Sequence, residues 1–202
     1  MTKKTIDFIF DFGSPNAYFA YKALPAIAAK YDADINYIPC LLGGIFKSTN
    51  NQAPMLSFGH VTQKMAYMQL EMSRFIKKHG LTKFKFNSSF PVNTLILMRG
   101  AIAAQADGKL PQYIEAGMAA MWEDNEKMDD PDTFARVMSA AGLNGVNLLA
   151  RTQDAKIKAE LMRNTEAAVE RGSFGIPTFY VGDEMFFGKD RLHMIEDLLA
   201  AG

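Results

Sequence analysis

The chain predicts an α/β fold in which a sheet is interrupted by a large all-helical segment, and three observations carry that prediction. Residues 5–39 read strand, helix, strand; the middle of the chain reads as one helix after another; residues 153–199 read helix, two-strand hairpin, helix. At 202 residues, 49% of them apolar and 22% charged, there is enough apolar material to bury a full core.

Ile6, Phe8 and Phe10 alternate with Asp7 and Ile9, the pattern of a mostly buried strand from Thr5 to Phe10. Helical spacing follows in Ala17, Tyr21, Leu24, Ala28 and Tyr31. Pro25 lacks a backbone donor and is expected to kink or split that helix. After the turn at Asp32-Ala33-Asp34, Ile35 to Pro39 reads as a second strand, parallel to the first and reached by a right-handed crossover. Leu41 to Met55 holds Gly43, Gly44, Ser48, Asn50, Asn51 and Pro54, so it reads as a loop, long enough to be functional.

Four helical patterns come next. They are marked by Val61, Met65, Met68, Met72, Phe75 and Ile76; by Leu95, Met98 and Ile102; by Ile114, Met118, Met121 and Trp122; and by Phe134, Val137 and Met138, this last after an Asp130 cap and Pro131. The 13 methionines concentrate here, and a methionine stripe at helical spacing is more often core than ligand surface; a pocket for a flat apolar substrate is the minority reading, and Trp122 is equally open. A long helix from Gln153 to Glu170 then leads to Thr178–Val181 and Met185–Phe187, a hairpin joined by Gly182-Asp183-Glu184, and to a closing helix from Asp190 to Leu199. This order is a thioredoxin fold with an all-helical domain inserted after its second strand. The division is residues 1–58 and 150–202 for the thioredoxin-like domain and 59–149 for the insert.

Composition narrows the function. Lys plus Arg and Asp plus Glu stand at 22 each with no basic run, which argues against nucleic acid and anionic membrane as partners and for a small molecule. The N-terminus has no uninterrupted apolar h-region and no stretch reaches spanning length, so a cytoplasmic setting is expected. Cys40 is the only cysteine, and His60, His79 and His193 lack ligand spacing, so no metal site is expected.

The stretch from Asp11 to Tyr18 carries the chemistry. Ser14 falls at an N-cap and Pro15 at the first helical position, leaving open N–H groups and a positive dipole end above Ser14, which suits an anion such as a thiolate. Helix capping alone is the ordinary role of such a serine. Asn93, in Phe90-Pro91-Val92-Asn93-Thr94, precedes a helix and reads first as a cap, with a substrate contact the weaker option.

Asp11-Phe12-Gly13-Ser14-Pro15-Asn16-Ala17-Tyr18, then Phe174-Gly175-Ile176-Pro177-Thr178-Phe179 before the hairpin and Phe187-Gly188-Lys189-Asp190-Arg191-Leu192 before the last helix, together resemble the DsbA-like superfamily. More narrowly, the whole chain is similar to 2-hydroxychromene-2-carboxylate isomerases and kappa-class glutathione transferases. Where disulfide-exchanging members carry Cys-x-x-Cys, this chain has Ser14-Pro15-Asn16-Ala17, so it cannot run a dithiol cycle. The resemblance implies glutathione as the source of sulfur, with Ser14 orienting its thiolate. It implies Ile176 and cis Pro177 pairing with the cysteinyl backbone, and Lys189, Asp190 and Arg191 at the γ-glutamyl end, where related kappa enzymes tend to have Ser in place of Lys189. Asn51 and Lys64 match positions at the glycyl end, although the segment between them is longer here. A homodimer and a small aromatic carboxylate substrate are implied in the same way. The activity expected is isomerisation through reversible thiolate addition. A transferase that keeps glutathione on its product and a non-catalytic peptide-binding module are the alternatives.

Overall fold

The structure is a computed structural model and describes residues 3–201, so Met1 and Thr2 of the N-terminal segment, and Gly202, lie outside the described residues. Four strands, β1 (Thr5–Phe10), β2 (Asp34–Pro39), β3 (Thr178–Val181) and β4 (Glu184–Phe187), form one sheet in the order β2-β1-β3-β4. β1 pairs in parallel with β2 and antiparallel with β3, and β3 pairs antiparallel with β4. Because β1 and β3 are the central strands, their C-terminal and N-terminal ends bring residue 10 and residue 178 to the same rim of the sheet, with Ile9 opposite Thr178. The chain segments that follow β1 and precede β3 therefore meet there.

α1 (Pro15–Lys30) is the crossover from β1 to β2. It is one continuous helix through Pro25, against the expectation of a split. The reason is position: Pro25 sits on the exposed side of the helix, where the carbonyl that loses its donor can be served by water. Ala17, Tyr18, Phe19, Ala20, Ala23, Leu24 and Ala28 form the buried side instead.

The segment read as a loop after β2 is largely helical, comprising α2 (Leu42–Ser48) and α3 (Pro54–Phe58). Neither its glycines nor its Asn and Ser residues favour a helix, so tertiary contacts decide. The Leu42 N–H donates to the Asp11 carboxylate at 2.8 Å and the Leu41 N–H to the Thr165 hydroxyl at 3.0 Å, so two distant side chains cap α2 from outside. Ile45 is buried completely, and Gly44 lies so near α9 (Ala155–Glu170) that a Cβ would come within 3.0 Å of the Thr165 methyl.

The helices between are α4 (Thr62–His79), α5 (Leu95–Ala106), α6 (Leu110–Trp122), α7 (Pro131–Ala140) and α8 (Gly145–Arg151). Met98, Met118, Met121, Met128, Met138 and Trp122 are fully buried, so these methionines and the tryptophan are core rather than pocket lining. The buried residues of the sheet and of the helices belong to one apolar cluster. Trp122 donates from Nε1 to the Phe12 carbonyl at 2.9 Å, and Gly117 lets α6 lie against the Phe12 ring, where a Cβ would meet it at 2.5 Å. The helical segment thus braces the turn between β1 and α1. α4 is different: none of its residues is buried, Met65, Met68, Met72, Phe75 and Ile76 being half covered while Tyr67 and Leu70 are exposed. A 3₁₀ turn (Lys189–Arg191) precedes α10 (Leu192–Ala200), which closes the chain.

Candidate functional site

The turn from β1 into α1 is fixed from beneath by Asp11. Its carboxylate is fully buried and accepts from the Gly13 N–H at 2.8 Å, from Leu42 at the start of α2, and from the Thr94 side chain at the start of α5. Burial pushes the Asp11 carboxyl up from its ordinary range, and these three donors oppose that rise. Thr94 also packs its methyl against Gly13, within 3.2 Å of where a Cβ would stand. One carboxylate therefore ties three segments together around the residue before Ser14. The sequence places Asp11 at the head of the Asp11–Tyr18 stretch without giving it a role of its own; the signal for one is an acidic residue directly after the apolar run Phe8-Ile9-Phe10.

Ser14 is only 5% exposed and caps α1 in extended geometry. Its Oγ accepts from the Ala17 N–H at 3.2 Å and donates to the Ile176 carbonyl at 3.1 Å, so the first stretch and the distant Phe174–Thr178 stretch are joined by one hydroxyl. The Ile176–Pro177 peptide bond is cis. Among the described residues, neither the Asn16 N–H at the start of α1 nor the Ile176 N–H meets a protein acceptor. Two amides and one hydroxyl thus converge at the positive end of a helix of 16 residues.

The remaining candidates divide into those drawn to this centre and those that are not. Asn51 donates from Nδ2 to the Phe174 carbonyl at 2.9 Å and accepts the Gln52 N–H, which sets it beside the Ile176–Pro177 segment. Gly188 donates to the Pro177 carbonyl at 2.9 Å and adopts φ +84°, a conformation that glycine alone takes freely, and this carries Lys189 and Asp190 up to the proline. Lys189 is buried and its ammonium pairs with the Asp190 carboxylate. Arg191 is exposed with no side-chain partner among the described residues. Lys64 lies on the exposed face of α4 with its ammonium 3.1 Å from the Phe58 ring centroid, and no contact links it to Ser14. Asn93 is exposed and accepts the Leu95 N–H at 3.0 Å, a local cap one residue from the Thr94 that packs on Gly13.

Cys40 is no candidate for chemistry. Its thiol is buried, donates to the Asn164 carbonyl at 3.3 Å, and is pushed up to about 12 by burial and by the nearby Asp11 charge. A thioredoxin sheet with serine at the head of its first helix, facing a cis-proline segment, defines a thioredoxin-fold protein without a thiol of its own at that position.

The DSBA-like thioredoxin domain matches residues 5–200, and the chain belongs to that family. A 2-hydroxychromene-2-carboxylate isomerase of Pseudomonas putida is 27% identical, over 96% of this chain and 93% of its own. Glutathione S-transferase kappa 1 of Caenorhabditis elegans is 26% identical, over 96% and 90%. A solved 2-hydroxychromene-2-carboxylate isomerase superposes with a TM-score of 0.85 at 26% identity, covering 98% of this chain and 95% of that one.

Proposed function

We propose that this protein is a glutathione-dependent isomerase acting on aromatic substrates of the 2-hydroxychromene-2-carboxylate type. The observation that carries the reading is the Ser14 hydroxyl held between the α1 amides and the Ile176 carbonyl, beside two unpartnered N–H groups. That donor set suits a thiolate on a peptide backbone: the α1 end and Ser14 face the sulfur, and Ile176 offers one edge of a strand to the cysteinyl residue.

When bound, glutathione would supply a thiolate for reversible addition to an activated double bond of the substrate. Ser14 orients and stabilises that sulfur; the helix end lowers its proton affinity. The 3₁₀ turn that carries Lys189 and Asp190 faces the γ-glutamyl end and offers its amides to the carboxylate there, while Asn51 and Lys64 serve the glycyl end. Asn93, beside the Ser14 turn, faces the aromatic substrate. The apolar residues Met55, Leu56, Phe58, Tyr67 and Leu70 are exposed on α3 and α4, which supports a homodimer through this face. A cytoplasmic setting suits a chain whose one thiol is free and buried.

Spectrophotometric conversion of 2-hydroxychromene-2-carboxylate with and without glutathione tests the reading. Activity that depends on glutathione and falls in Ser14→Ala supports it, and glutathione-independent activity overturns it. The kappa names among relatives of similar identity favour one second reading, conjugation. Product mass separates the two, because a conjugate gains the tripeptide and an isomer gains nothing.

A further inference from the structure

Lys189 is a buried lysine at the edge of the proposed glutathione site. Only 4% of it is exposed; its ammonium lies 5.1 Å from the Phe75 ring centroid and is paired with Asp190, whose side chain is 41% exposed. Its backbone is held by the Gly188–Pro177 hydrogen bond, and its stem is covered, so the ammonium has little room to swing into water. A surface lysine could leave its partner at small cost when a ligand arrives; this one would have to be stripped of its pair while still enclosed.

Lys189 and Asp190 line a cleft of about 440 Å³ between α1, α4 and α10, floored by Ala23, Ile27, Phe75 and Leu192. The charges facing it are Arg74, Lys78 and Lys189 against Glu71, Asp190 and Glu196, with His79 and His193 also on its wall. Asp190 is taken by Lys189 and Glu196 by Lys30. Among the described residues Arg74, Lys78 and Glu71 make no ion pair, and the charged residues that line the cleft balance at three of each sign.

We infer that Lys189 is a specificity residue that neutralises Asp190 in place of a ligand ammonium, so that this site favours a thiol peptide whose amino-terminal end is a carboxylate without an ammonium. The inference rests on the glutathione reading above and refines which end groups that site accepts. A γ-glutamyl ammonium placed at Asp190 would have to share one carboxylate with the enclosed Lys189 ammonium. A ligand end without an ammonium does not meet that penalty.

Two probes that differ only in that amine separate the cases: glutathione and its glutaryl-Cys-Gly counterpart. Calorimetric affinities for both are to be measured on the intact protein and on Lys189→Met, which keeps an unbranched apolar stem over Phe75 and removes the charge, with Lys189→Ser as a second variant. The expected result is a shift in the affinity ratio toward glutathione by about three- to fivefold in both variants, the scale of a partly exposed ion pair. Because the readout is a ratio on one protein, a general loss of stability cancels. An unchanged ratio, with both peptides still binding, overturns the role of Lys189 and leaves the glutathione site standing; failure of both peptides to bind the unmodified protein overturns the two together.

Discussion

The Ser14 hydroxyl has one proton, and in the structure that proton goes to the Ile176 carbonyl while a lone pair takes the Ala17 N–H. A thiolate arriving above α1 competes for the proton and leaves the cap bond intact, so one side chain can serve both stability and chemistry. Ser14→Ala removes both: a stability loss of about 1 kcal/mol is expected by denaturant unfolding, from the lost cap, together with a fall in kcat/KM toward the isomerase substrate. Cys40 shows the opposite environment. Its thiol is neutral across the working range, so a thiol reagent at pH 8 should label it only after unfolding, and rapid labelling of the native protein would contradict its burial. The same shift fixes a pH effect. The folded thiol titrates at about 12 against 9.0 for the ordinary group, so between these values the unfolded chain binds fewer protons than the folded one. Stability from this group is complete below 9.0 and declines as pH rises toward 12, by up to about 1.4 kcal/mol per pH unit. Cys40→Ala should flatten that decline.

Elements are held around the site by single side chains more than by their own propensities. Asp11 accepts donors from the β1–α1 turn, α2 and α5, so Asp11→Ala leaves buried donors unpaired and should cost about 3 kcal/mol or more, measured by urea unfolding. A loss under about 1 kcal/mol would show that water replaces it. Gly117→Ala forces a methyl into the Phe12 ring and should cost about 1–3 kcal/mol while also lowering activity through the Phe12–Ser14 turn. These dependencies explain what the sequence made legible. The strands, α1, the hairpin and the insert follow from periodicity, Ser14 from its cap position before Pro15, and Ile176 and Pro177 from the family resemblance. α2 was hidden because its caps are Asp11 and Thr165, far away in sequence, and the burial of Lys189 was hidden because it depends on Phe75 of α4. The placement of Lys64 over the Phe58 ring was equally beyond local pattern, because it depends on how α3 meets α4.

At the scale of the molecule, one core joins sheet and insert, and α3 and α4, neither of which has a buried residue, both carry exposed apolar side chains. Leu56, at 74% exposure, and Tyr67 are the most exposed apolar residues of the proposed dimer face. Sedimentation should find a dimer for the unmodified chain and a monomer for Leu56→Glu combined with Tyr67→Glu; a dimer unaffected by both would place the interface elsewhere. The central claim, however, concerns a sulfur that the chain does not own, and it is tested most directly by titrating the thiolate absorbance of glutathione bound to the protein. The account predicts a thiol pKa about one unit or more below the ~8.5 of a free cysteine, and a return most of the way to that value in Ser14→Ala. An unshifted thiol in the bound complex, or the same shift with and without the Ser14 hydroxyl, would contradict it.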